Sequence, residues 1–318
     1  RLGLYRCLAE GGPMTSAALA TRTGTHERYV REWLNAQAAS GYVRYIADSG
    51  LYELTPEQAL MFAHEGGPAF IVGAFQTALA AGRIVDRLTE AFRTGDGIGW
   101  HEHDHALFHG IERFFRTSYI GNLVQSWIPS LAGVEDTLRR GASVADIGCG
   151  HGASTVLMAQ AFPNSRFTGY DFHPASIAAA TAHARSHGLT NLHFEVGKAQ
   201  DFAGRDFDLI TCFDCLHDMG DPQAAAAHIR RALKDDGAWM IVEPMAGDKV
   251  EDNLNPVGRL YYSASTMICI PTSLAQETGL ALGAQAGEKR LTEVILAGGF
   301  SKVRRAAQTP LNMVLEAT

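Results

Sequence analysis

The sequence predicts an α/β protein: a largely parallel sheet with helices on both faces, preceded by an α-rich winged-helix domain and a helical connector. Three observations carry this. From Gly141 onward, short β-branched and aromatic runs alternate with helical segments, the pattern of a parallel sheet covered by helices, with ligands at the carboxyl edge of the strands. Up to about Met61, helix signals lead into two short strands around a turn. The 318 residues, 46% hydrophobic and 19% charged, exceed one ordinary domain and suffice for two with substantial cores. The expected division is 1–62 for the winged helix, 63–140 for the connector and 141–318 for the sheet domain.

In the first segment, Thr15-Ser16 precedes an apolar-periodic stretch from Ala17 to Thr23 that Gly24 stops. Thr25 starts a second helix through Arg28, Trp33 and Leu34, ending at Gly41. Val43 to Ile46 and Leu51 to Leu54 flank Asp48-Ser49-Gly50, a two-stranded wing. In the connector, Leu107, Ile111, Phe114, Phe115, Leu123, Val124, Trp127 and Ile128 recur at three- and four-residue steps, a buried helical face. The third segment reads as strand Val144–Ile147, helix Ala153–Ala161, strand Arg166–Tyr170, helix Pro174–His187 and strand Leu192–Val196. Strand Phe207–Phe213, helix Pro222–Leu233 and strand Ala238–Val242 follow, and a hairpin of Val303–Ala306 and Asn312–Leu315 closes the chain.

Composition excludes several classes. No apolar run reaches the roughly 18 residues of a membrane span, and no signal-peptide pattern opens the chain. Arg1 to Tyr5 lacks an initiator Met and reads as the middle of an amphipathic helix, so the chain is expected to be trimmed. A net charge of −7 argues against a protein that coats nucleic acid. Five scattered cysteines, an odd number, fit a reducing cytoplasm better than a disulfide scaffold.

The most informative stretch is Asp146-Ile147-Gly148-Cys149-Gly150-His151-Gly152, which joins the first strand of the sheet to its first helix. Glycines there let the backbone turn tightly and approach a ligand. Asp171, 23 positions after Gly148, ends the next strand, where a carboxylate can accept both hydrogen bonds of a ribose diol. A dinucleotide needs G-x-G-x-x-G and no charge at the strand end, because its pyrophosphate is anionic. Here the third glycine comes one residue early and Asp146 adds negative charge. S-adenosylmethionine carries a sulfonium and an ammonium, so a carboxylate beside the loop favours it over NAD. A glycine-rich turn that merely packs helix on strand is the remaining alternative.

With GTHERYVREWLNAQAASGY, VADIGCGHGAST, DCLHDMGDP and VEPMAGDKVEDNLNPVGRLYYSAST, the chain resembles a bacterial family of two-domain class I S-adenosylmethionine-dependent methyltransferases with an N-terminal winged helix. The resemblance implies a Rossmann-like methyltransferase sheet and S-adenosylhomocysteine as product. It implies that Asp146, Gly148 and Gly150 line the methionine part, that Asp171 holds the ribose and that Phe172 flanks the adenine. Ala199 and Gln200 would meet the adenine edge, although Lys198 stands where the family keeps an acid. Phe213, ending the fourth strand, would close the site from below.

Phe213 to Met219 is similar to a segment of plant phenolic O-methyltransferases that reads His-Asp-Trp, whose His is the general base; here Met219 replaces the Trp. That resemblance makes His217 the catalytic base and Glu243 the carboxylate that orients it, with Glu288 a second such acid. A His near neutral pKa suits proton removal from a hydroxyl acceptor; the other reading has His217 capping the following turn. Cys212 and Cys215, with Cys149, His151 and His217 nearby in the motif order, raise a metal or redox cluster. Redox pairs open a helix rather than end a strand, so buried core cysteines and no metal are expected. His101, His103 and His105 alternate in a polar segment read as a solvated loop.

Tyr261, Tyr262, Ser263, Met267 and Ile270, with Phe114, Phe115 and Tyr119, are expected to line an apolar acceptor pocket. The leading expectation is therefore a cytoplasmic methyltransferase on a small lipophilic or aromatic acceptor, with oxygen the first choice of nucleophile and nitrogen or carbon open. The alternative is a winged-helix transcriptional regulator with a methyltransferase-like sensor domain. Residues 1–70 hold six Arg and no Lys against seven acids, which removes the electrostatic part of DNA affinity. DNA is thus not expected as a partner; a homodimer through the winged helix is.

Overall fold

The computed structural model describes residues 2–318. The chain falls into two compact units that divide at Phe75 and Gln76. In the first, helices Leu4–Gly11, Ser16–Thr23 and Glu27–Ala39 precede a ribbon of β1 (Arg44–Ile46) and β2 (Leu51–Glu53) and helix Pro56–Phe62. Two of the capping residues read from sequence hold: the Thr15 hydroxyl accepts from the Ala18 N–H, and Gly24 takes the left-handed conformation. Thr25 does not cap the next helix, whose cap is His26, with its ring accepting from the Arg28 N–H. Thr55 and Gln58 form a reciprocal capping box for the last helix. Leu8, Leu19, Val30, Leu34 and Val43 bury one face of each element into a common core.

The second unit holds a seven-stranded sheet in the order β5-β4-β3-β6-β7-β9-β8. Its strands are β3 (Ser143–Ile147), β4 (Arg166–Asp171), β5 (Leu192–Val196), β6 (Phe207–Phe213), β7 (Leu233–Pro244), β8 (Val303–Gln308) and β9 (Asn312–Ala317). The first five run parallel, whereas β9 lies antiparallel to β7 and to β8. The sheet is therefore mixed, and the closing hairpin is its edge. Alternation assigns the faces: Ala145, Ile147, Ile210, Cys212, Trp239 and Ile241 join one core. Val144, Leu209, Phe213, Met240 and Val242 join the other. Both faces are buried because helices cover both. Helix Pro222–Ala232 stops one residue short of expectation, since Leu233 already pairs with Phe207. Among the described residues no helix is long and apolar enough to cross a membrane.

The order puts β4 on one side of β3 and β6 on the other, so the chain reverses direction across the sheet at β3. A crevice opens there at the carboxyl ends of the strands. Helix His105–Asn122, also in this unit, supplies the side chains that face it.

Candidate functional site

The loop after β3 is tied to the end of β4. Gly148 and Cys149 donate backbone hydrogen bonds to the Tyr170 carbonyl at 2.8 and 3.0 Å, and Gly150 N–H donates to Asp171 Oδ2 at 2.9 Å. Asp171 Oδ1 accepts from the His173 N–H at 2.8 Å. All three glycines have positive φ, but they do different work. A Cβ on Gly152 would lie 2.5 Å from the Phe194 ring, so this glycine lets helix Ala153–Ala161 close on the sheet. A Cβ on Gly150 would meet nothing within 4 Å, which leaves its backbone open to a ligand.

That open side is the floor of a cavity of about 640 Å³, within the range of small-molecule and cofactor sites. Gly148, Gly150, Asp171, Phe172, Ala199, Gln200 and Phe213 all lie on its wall, with Lys198 and Asp201 beside Ala199 and Gln200. Asp146 does not. Its carboxylate is buried and accepts three hydroxyls: Ser154 at 2.8 Å and Thr155 at 2.7 Å on Oδ2, Thr211 at 2.9 Å on Oδ1. Burial pushes its pKa up to about 6, against the pull of those hydroxyls. The expected direct contact of Asp146 with a cofactor's methionine part is thereby corrected: it fastens β3 to β6 and to the first turn of the helix.

His217 is 3% exposed and is not on the cavity wall; its neighbour Asp218 is. Glu243 Oε2 lies 2.5 Å from His217 Nδ1, and Glu243 Oε1 accepts from the Leu216 N–H at 2.9 Å. His217 Nε2 lies 3.1 Å from Asp218 Oδ1 without the alignment of a hydrogen bond. These two groups and the thiol of Cys269 come within 4.8 Å of one another. Burial disfavours the imidazolium, but the carboxylates of Glu243 and Asp218 together outweigh it and hold the ring's pKa well above its usual value.

Several expectations need correction. Glu288 pairs with Arg305 at 2.5 Å instead of serving His217. Tyr261 is buried, with its hydroxyl on the Leu311 carbonyl, and Tyr262, Ser263, Met267, Ile270 and Phe114 are also absent from the wall. The apolar lining comes from Trp100, Phe108, Ile111, Phe115 and Tyr119, and Thr272 and Gln276 also lie on the wall. Phe108, Ile111, Phe115 and Tyr119 share one face of their helix at steps of three and four. That phase was readable in the sequence; Trp100, Asp218 and Thr272 carried no such signal. His103 is no loop residue in water: it is 5% exposed with both ring nitrogens unpartnered, and burial keeps its pKa low. All five cysteines are free; Cys149, Cys212 and Cys269 are buried, and both Cys149 and Cys215 lie on the cavity wall.

Comparison with known proteins accords with this geometry. A family model described as a methyltransferase domain matches residues 138–295, and one described as an Rv2258c-like winged HTH domain matches residues 1–64. The chain is 34% identical over 113 residues to the trans-aconitate 2-methyltransferase of Deinococcus radiodurans, covering 36% of this chain and 42% of that one. It is 26% identical over 261 residues to the mitomycin biosynthesis 6-O-methyltransferase of Streptomyces lavendulae, covering 78% and 72%. The chain spans less than half the length of the first curated relatives it matches. Human N-acetylserotonin methyltransferase in complex with SAM shares the fold over 99% of this chain and 90% of its own, with a TM-score of 0.70 at 17% identity.

Proposed function

We propose, from the premise that this chain belongs to the two-domain class I S-adenosylmethionine-dependent methyltransferases with an N-terminal winged helix, that it methylates a small acceptor, at oxygen. One observation carries the reading. A single cavity runs from the glycine loop and Asp171 to Asp218, Thr272 and a wall of Trp100, Phe108 and Phe115. Both halves of a transfer reaction would then share one water-poor space.

In this reading Gly148 and Gly150 let the backbone approach the methionine part, and Asp171 accepts from the ribose hydroxyls. Phe172, Ala199 and Gln200 take the adenine, and Phe213 closes the floor. Bound there, S-adenosylmethionine supplies an electrophilic methyl group and leaves as S-adenosylhomocysteine. The rest of the catalysis is positioning and the removal of one proton. Asp218, on the wall, takes the proton of the acceptor hydroxyl and passes it to Nε2 of His217 behind it, with Glu243 fixing the ring's tautomer and orientation.

The wall also narrows the acceptor. Apart from Glu112, which pairs with Arg116, and from Asp171 and Asp214, whose pKa values burial raises, it carries Asp201, Asp218, Asp221 and Glu277 against Lys198 as the one Lys or Arg on the wall among the described residues. Such a cavity repels polycarboxylates. The acid named for the Deinococcus relative is therefore a poor candidate here, and a neutral or cationic aromatic alcohol is a better one. A regulator is disfavoured further, since Arg28 and Arg31 on the helix that would enter a groove are paired with Glu32 at 2.6 Å and Glu27 at 2.7 Å. We assign the winged helix to homodimerisation and the protein to the cytoplasm.

The test is methyl transfer from labelled S-adenosylmethionine to matched phenols bearing an ammonium, no charge or a carboxylate. Transfer to the first two supports the reading. Transfer to the carboxylate alone, or to none while a specific, salt-sensitive DNA complex forms, would overturn it.

A further inference from the structure

The cationic end of S-adenosylmethionine needs a counter-charge, and Asp146, its expected source, is consumed by three hydroxyls away from the cavity. We propose that Asp214 is that counter-charge, binding the cofactor's α-ammonium, and that Tyr119 and Asn312 are its positioning residues. This rests on the methyltransferase reading above.

Position comes first. Asp214 follows β6 directly and lies on the cavity wall between Phe213 and Cys215. The Cys215 sulfur packs against Gly148, 2.7 Å from where a Cβ would stand. Asp214 is therefore next to the residue that covers the first glycine of the loop, the end assigned to the cofactor's methionine part.

Its conformation is the second observation. Asp214 has φ 51°, one of three non-glycine residues with positive φ among the described residues. Such a conformation costs about 1 kcal/mol or more and persists only where the surroundings over-determine it. Three elements do so. Its N–H donates to the Val242 carbonyl of β7 at 2.7 Å, Asn312 Nδ2 of β9 donates to Oδ1 at 2.9 Å, and the Tyr119 hydroxyl donates to Oδ2 at 3.1 Å. Asn312 is fully buried, with its own Oδ1 unpartnered.

Charge is the third. Both side-chain donors to Asp214 are neutral, and burial together with the Glu243 carboxylate outweighs the pull of the His217 ring, so its carboxyl is held well above the usual carboxylate range. A carboxylate aimed into a low-dielectric cavity with only neutral donors is costly unless a cation arrives with the ligand. The α-ammonium is such a cation, and both Asp214 oxygens keep a free lone pair for it.

The experiment is calorimetry on the full chain with two ligands that share adenosine and thioether but differ in the amino-acid end: S-adenosylhomocysteine and 5′-methylthioadenosine. Asp214→Asn is expected to weaken S-adenosylhomocysteine by about 10- to 100-fold and 5′-methylthioadenosine by less than about 2-fold. Tyr119→Phe should weaken only the former, by a smaller factor, and Asp146→Asn neither. Retained 5′-methylthioadenosine binding also shows that the variants are folded. Equal losses for both ligands, or none for either, would overturn the assignment to Asp214. Wild-type protein that binds neither ligand would instead remove the cofactor reading itself, and this inference with it.

Discussion

The sulfur of Cys215 occupies the space beside Gly148: a Cβ added to that glycine would stand 2.7 Å from it. The same thiol donates to the Ile147 carbonyl at 3.3 Å. The end of β6 thus dictates a glycine at the end of β3, and the two strand ends that flank the crevice are locked as a pair. This lock puts the loop and the segment from Asp214 to Asp218 on one wall.

The glycines of the loop separate packing from binding. Gly152→Ala forces a methyl into Phe194 and should destabilise folding by about 1–3 kcal/mol, the range for overpacking. Gly150→Ala meets open space, so its folding cost is limited to the backbone strain at φ 52°, about 1 kcal/mol. It should nevertheless lower S-adenosylhomocysteine affinity at least about tenfold, because the methyl occupies the ligand's approach. Urea unfolding and calorimetry on both variants check this. Wild-type affinity in Gly150→Ala would place the cofactor elsewhere.

Asp171→Ala should weaken S-adenosylhomocysteine by about 1.5–3 kcal/mol, the worth of hydrogen bonds to a charged group. Part of that loss is indirect, since the same carboxylate holds the Gly150 and His173 N–H groups. Asp171→Asn keeps one acceptor oxygen and should fall between alanine and wild type in the same titration.

His217→Ala should leave cofactor affinity within about twofold and slow turnover by roughly 10²–10⁴-fold, the usual worth of a general base. Glu243→Gln should slow it less. The ring's pKa is raised, so the basic form accumulates only above its ordinary pKa of about 6.5, and the rate should climb with pH beyond that point. Stability runs the other way. The imidazolium's contribution is complete below the unfolded pKa and is lost as pH rises through the higher folded value. Thermal unfolding of wild type should therefore occur at lower temperature as pH rises above about 6.5, and the slope should shrink in His217→Ala. An unchanged rate in that variant would leave catalysis to positioning alone.

Asp146→Ala would leave the hydroxyls of Ser154, Thr155 and Thr211 without their acceptor, at a cost of about 1–3 kcal/mol. With the folded pKa raised from 3.8 to about 6, this carboxyl stabilises the fold when protonated. That contribution is complete below the unfolded pKa and disappears as pH rises through about 6. Asp146→Asn should flatten the dependence of urea midpoint on pH between 4 and 6. A slope identical to wild type would show that another acid carries it.

Much of the architecture was legible because its signals are local. The caps Thr15 and Gly24 and the three left-handed glycines need only their own neighbours, and hydrophobic alternation along β3, β6 and β7 needs only the pleat. The same holds for Asp171, whose place at the end of β4 follows from counting. The acceptor side was read less well. Steps of three and four admit Phe114 as well as Phe115, while the face that lines the cavity is Phe108, Ile111, Phe115 and Tyr119. His103 looked solvated because its sequence neighbours are polar, yet it is packed away from water.

The sequence by itself determined the class of fold, the order of its elements, the glycine loop and the acid that follows it, since each depends on periodicity or spacing within one stretch of chain. Only the tertiary structure decided which carboxylate is free. The sequence points to Asp146, in the glycine motif, and gives Asp214 no such mark. Asp146 meets Thr211, 65 residues away, together with two hydroxyls of the helix that follows its strand. Asp214 meets Tyr119 and Asn312, 95 and 98 residues away, and keeps its place on the cavity wall. A carboxylate's role depends on which donors reach it and whether water or a ligand can, and packing between distant elements settles both.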